Sequence, residues 1–263
     1  MKKHIGAPIK KALCFITLCG AVVLSGCGQA KQPQEGGNIA QTQQTLAARF
    51  SERLDCDDYD VTIRTDDVVS RIVRSGNNGC VTMTSDGIES EFYNVNGSSY
   101  LLLPEIKCFR RLAGQGTFGN AFVKLGEKDM LFDITETDTE ITEVYKPTYS
   151  NLKETYYFTF DKATGEIKRA VTKEDGAEEV VTEVLSMVWK ADEIEMPDLT
   201  GWDDISDDAE VSDATSMKFI FYRKGITPDM VEKAGYTFEQ IAHMSTEESD
   251  ALADKILAEQ GNK

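Results

Sequence analysis

Apolar and polar positions change rhythm several times along this chain. Residues 12–24, ALCFITLCGAVVL, are almost continuously apolar. Residues 38–54 carry Ile39, Leu46, Phe50 and Leu54 as a loose helical stripe, with Ala47 beside it and Asn38 placed as an N-cap, and so predict a helix. From Tyr59 the period becomes two, with Tyr59, Val61 and Ile63 alternating with Asp60, Thr62 and Arg64. Strand-like runs follow at 68–75, 80–86, 88–95, 98–104 and 106–112, then at 130–136, 139–147, 154–161, 166–174, 178–189 and 194–199. The breaks are turn-like: SGNNG at 75–79, DG at 86–87, NG at 96–97, DKATGE at 161–166 and EDGAE at 174–178. This spacing predicts an antiparallel meander of about ten or eleven strands, because βαβ units would interpose helical periods. Residues 113–127, AGQGTFGNAFVKLGE, read as a loop or short helical excursion.

Past residue 200 the rhythm changes again. DDISDDAEVSD, 203–213, reads as a solvated acidic linker, and the spacing of a calcium loop is absent. KFIFY, 218–222, predicts a strand. Three helix starts follow. Thr227 precedes Pro228 as a cap before an N1 proline, and Gly235 is placed to end that helix. Thr237 with Gln240, and Ser245 with Glu248, have capping-box spacing.

The apolar stretch at 12–24 is too short to span a bilayer, which takes about 20 residues. Lys2, Lys3, Lys10 and Lys11 precede it and no acid occurs before Glu35, the layout of a secretory signal peptide. Leu24-Ser25-Gly26-Cys27 resembles the lipobox of bacterial lipoproteins. The resemblance implies cleavage before Cys27, a diacylglyceryl group on its sulfur, and palmitate-type acyl chains as the anchor. Two chains meet the two-signal requirement for stable anchoring. The expected organisation is then a signal peptide at 1–26, a tether at 27–38, a β domain at 39–200, an acidic linker at 201–216 and a helical segment at 217–263. The expected location is extracytoplasmic, on a bacterial cell membrane.

Charge and cysteines narrow the chemistry. Removing residues 1–26, with four lysines and no acid, takes the net charge from −17 to −21. Such a chain repels phosphate backbones and anionic headgroups, so nucleic acid is not an expected partner and the body stands off the membrane. Beyond Cys27, the cysteines are Cys56, Cys80 and Cys108. One disulfide among them is expected outside the cytoplasm, and the three pairings stay open. No metal-ligand spacing accompanies them, and no metal or cofactor is expected.

Catalytic patterns are missing. His243 is the one histidine after Cys27, in a late helical segment rich in glutamate. The motifs G-x-S-x-G, G-x-x-x-x-G-K-[ST] and H-E-x-x-H are absent. Gly114, Gly116 and Gly119 fit G-x-G-x-x-G, but in antiparallel surroundings they read as a loop. Asp55, Asp57, Asp58 and Asp60 read as a solvated face. No enzyme is expected. A transporter's solute receptor would need alternating strand and helix units.

EFYNVNGSSYLL (91–102) and YYFTFDKATGEIKRAV (156–171), followed by Pro197, resemble lipoproteins of the LolA/LolB/LppX type over roughly residues 39–200. The resemblance implies an incompletely closed antiparallel barrel with helices over its concave face, and binding of lipid or lipidated cargo. The fold class expected is therefore α+β, mainly β, with an N-terminal helix and a small helical tail. Ile63, Met83, Phe92, Leu102, Tyr156 and Phe158 are the candidate lining of an apolar site. The alternative is a structural, sensor or interaction lipoprotein that meets an envelope protein partner through its tail helices.

Overall fold

A computed structural model describes residues 44–85, 88–112, 125, 129–147 and 154–260. The signal segment, the tether, Cys27, Asn38, the Asp-Gly turn at 86–87 and most of 113–127 lie outside the described residues. The architecture is mainly β and antiparallel, with a helix before the strands and small helices after them, as the hydrophobic rhythm predicts. The described residues divide into two compact units.

The first unit holds α1 (Leu46–Cys56) and four strands, β7 (Asp129–Glu136), β8 (Glu140–Pro147), β9 (Glu154–Asp161) and β10 (Ile167–Glu174). The strands pair antiparallel in chain order. The turn between β9 and β10 explains its own sequence. The Asp161 carboxylate accepts from the amides of Ala163 and Thr164, and Gly165 takes φ +72°, where a side chain would be strained. Helix α1 buries Ala47, Phe50 and Leu54. Phe50 meets Phe160 edge-on, with ring centroids 6.4 Å apart. Tyr145 and Phe158 pack edge-on in the same unit at 5.9 Å.

The second unit holds β1 (Tyr59–Thr65), β2 (Val68–Ser75), β3 (Asn78–Ser85), β4 (Ile88–Val95), β5 (Ser98–Leu103), β6 (Cys108–Leu112), β11 (Val180–Val188) and the two-residue β12 (Asp203–Asp204). Their order is β12-β6-β5-β4-β3-β2-β1-β11, and the ladder does not close on itself. The Asn-Gly signal at 96–97 makes the β4–β5 turn, with φ +53° and +78°. One face of β1 buries Tyr59, Val61 and Ile63, joined by Ile72 of β2 and Val81 of β3.

Two expected strands are corrected. IEMPDL, 194–199, is irregular, and its Pro197 has no N–H to give a ladder. KFIFY lies in helix α2 (Asp213–Arg223), whose N-terminus is capped by the Ser212 hydroxyl, accepting from the Thr215 amide. Helical geometry turns its consecutive aromatics toward different neighbours. Phe221 enters a cluster with Ile226, Val231, Ile241, Ala253 and Ile256. Tyr222 packs with Leu103, Ile106 and Cys108, and its hydroxyl donates to the Glu89 carbonyl at 3.0 Å. Helix α2 thus ties the small helices to the β ladder. Those helices are α3 (Pro228–Lys233), α4 (Phe238–Ala242) and α5 (Thr246–Gln260). The Thr227 cap, both predicted capping boxes and the left-handed Gly235 are all present.

The acidic stretch at 203–208 engages β6. Asp203 and Ile205 donate their amides to the carbonyls of Lys107 and Phe109, at 2.8 Å each. Asp207 pairs with Arg110 at 2.6 Å, and Asp204 with Arg111 at 2.9 Å. The Ser206 hydroxyl accepts from the Arg111 amide at 2.8 Å.

Candidate functional site

The register assigns the six candidate lining residues to separate surfaces. Ile63 pairs across Ser70 to Met83 on one face of the second unit's ladder, and Phe92 shares that face through Val81. Leu102 pairs with Glu91 and so lies on the opposite face. Tyr156 and Phe158 belong to β9 in the first unit, on the face that carries Tyr145 and Glu143. Ile63, Leu102 and Phe158 are buried core, whereas Met83, Phe92 and Tyr156 are half-buried.

Cys56, Cys80 and Cys108 are free thiols. Cys80 on β3 and Cys108 on β6 are separated by two strands, about 14 Å at the usual strand spacing, and lie on opposite faces. That is beyond the reach of a disulfide. Cys56 is exposed at the end of α1, and Cys108 is fully buried. Burial pushes the Cys108 thiol up to about 11. The expected labelling order with iodoacetamide is therefore Cys56 first and Cys108 only after unfolding, read by mass spectrometry of digests. A thiol whose folded pKa exceeds its unfolded value stabilises the fold below about pH 9, and that contribution is lost as pH rises toward 11.

A shallow depression of about 420 Å³ lies in the second unit, between the face bearing Cys80 and residues 190–195. Asp60 holds Arg71 through two bonds there, at 3.0 and 2.6 Å. Burial pushes up the Cys80 thiol, the Tyr93 phenol and the Glu91 carboxyl. All three shifts favour the protonated forms, so Cys80 is held as a thiol, the weaker nucleophile. His243 is exposed at the C-cap of α4, with no place in this cluster. Among the described residues no group of three or more His, Cys, Asp or Glu could hold a metal ion. No helix among them is long and apolar enough to cross a membrane.

The first unit offers a different surface. β7 has β8 on one side and, among the described residues, no strand on the other within its unit. Its side chains are open to solvent: Met130 is 62% exposed, Phe132 65%, Ile134 46% and Leu131 40%. A register shift between Leu131 and Asp133 marks a bulge at Phe132. The Lys146 ammonium sits over the Phe132 ring, 3.5 Å from its centroid. Leu131 pairs with Tyr145, and Ile134 pairs with Glu143. Four large apolar side chains are thus exposed within five residues of one edge strand, on both of its faces, as at interaction surfaces. The apolar run MLF is visible in the sequence, but only the structure shows that it is exposed and that no described layer covers it.

Beside that patch, Glu143 fixes α1. It is 3% exposed and accepts from the amides of Leu46 and Ala47, each at 2.9 Å. The Tyr145 hydroxyl lies 3.0 Å from the same carboxylate and 2.7 Å from the Thr45 hydroxyl. Burial pushes the Tyr145 phenol up, keeping it a donor. A carboxylate at a helix N-terminus is favoured by the unpaired amides and the helix dipole. The hydrophobic rhythm does not reveal this role, because Glu143 reads as one more acid on an alternating strand.

No family model matches this chain, and no curated protein does. Among solved structures it is similar to an uncharacterized conserved protein from Thermus thermophilus, with 9% identity and a TM-score of 0.43. The match covers 63% of this chain and 99% of that one.

Proposed function

We propose that this chain is an envelope lipoprotein, tethered through Cys27, whose folded body acts without catalysis by binding a protein partner at strand β7. The observation that carries this is the exposure of Met130, Leu131, Phe132 and Ile134 together on one strand. Leaving that much apolar surface in water is unfavourable, at about 25 cal/mol per Å², and a partner recovers the loss. The protonated Cys80 thiol and the isolated His243 support the non-catalytic part of the reading. Replacing Phe132 with a photo-crosslinking amino acid tests it in the cell that makes the protein. A protein adduct of discrete mass is the expected product.

A lipid ligand is the second reading. Leu131 and Ile134 lie exposed on the face that carries half-buried Tyr156, and apolar side chains open to solvent suit an acyl chain. A crosslink to lipid alone would favour it.

A further inference from the structure

The geometry points to the kind of partner β7 takes: an extended segment carrying lysine or arginine among apolar residues, added as a further strand at the edge of β7 that no described strand of its unit occupies. This rests on the reading of β7 as the contact surface. Residues 129–140, DMLFDITETDTE, contain five acids and no base. Glu136 and Glu140 already meet Lys162 and Lys168, at 2.8 and 3.2 Å. The Asp133 carboxylate accepts from the amide of its neighbour Ile134 at 2.9 Å.

Other occupants fit less well. A second copy pairing about the centre of β7 sets Asp129 against Glu136, and like charges directly opposite destabilise a ladder. An anionic membrane surface meets the same acids. A strand with basic residues supplies both the ladder bonds and the opposite charges, the mode in which main-chain bonds give affinity and side chains give specificity.

The test uses the full-length chain in detergent and two blocked heptapeptides, one alternating lysine with valine and one alternating glutamate with valine. Hydrogen exchange is read by mass spectrometry. The lysine peptide should protect residues 129–136 and the glutamate peptide should not. Asp133→Lys should weaken binding of the lysine peptide by about tenfold, and Phe132→Glu, at an exposed position, should weaken binding without unfolding the chain. Protection elsewhere, equal protection by both peptides, or no protection overturns strand addition. If crosslinking from position 132 still captures a protein while the lysine peptide protects nothing, the contact surface stands and the strand mode fails. If neither occurs, both fail.

Discussion

Glu143→Leu should lower the stability of the folded body by about 2–4 kcal/mol, since it leaves buried donors without an acceptor. The carboxylate serves the amides of Leu46 and Ala47 and stands beside the Tyr145 hydroxyl, in a site almost closed to water. Leucine fills a similar volume but accepts nothing. Glu143→Gln keeps one oxygen and should lose roughly half as much. In a thermal melt the leucine variant should unfold roughly 5–15 °C below the parent, using the usual scaling for a chain of this size. The loss should begin at α1, so hydrogen exchange at 46–56 should rise before that of β8 and β9. An unchanged melting temperature would mean that water replaces the carboxylate at no cost, and the helix would then owe its place to Phe50 and Leu54 alone.

Cys27→Ser should move the protein from the membrane fraction to the soluble one. The sulfur is the attachment point expected for the diacylglyceryl group, and serine offers no thioether. Each buried methylene of an acyl chain contributes about 0.8 kcal/mol to membrane affinity, so losing the chains removes the anchoring at a stroke. The negative charge of the body opposes any residual attraction to anionic lipid. Fractionation and intact-mass measurement of the parent and the variant check this. A variant that still pellets with membranes, or a parent without added mass at Cys27, contradicts the anchor.

Most of the strand pattern was legible because period-two alternation and Asn-Gly or Thr-Gly turns are local signals. The β4–β5 hairpin and the Asp161–Gly165 turn stand where those signals put them. The helix caps at Thr227, Thr237 and Ser245 were legible for the same reason. KFIFY was not, since four apolar and aromatic residues in a row fit a buried strand as well as a helix with two buried sides. The arginine pair that holds residues 203–208 was hidden too, because Arg110 lies 97 positions from Asp207. The candidate surface divides likewise. Alternation identified apolar positions in β4, β5 and β9, but register alone decides that Leu102 faces away from Phe92. Edge position is a property of strand order, so the exposure of Phe132 and Ile134 has no local signature.

Crosslinking from position 132 measures most directly whether a protein covers β7 in the cell. The photoreactive residue is introduced at Phe132 in the full-length chain, with a matched control at Asp66 in the exposed β1–β2 turn. Irradiated cells should yield a protein adduct of discrete mass from position 132 and none from position 66. The same adduct from both positions, lipid adducts alone, or no adduct from position 132 would contradict a protein partner at this strand.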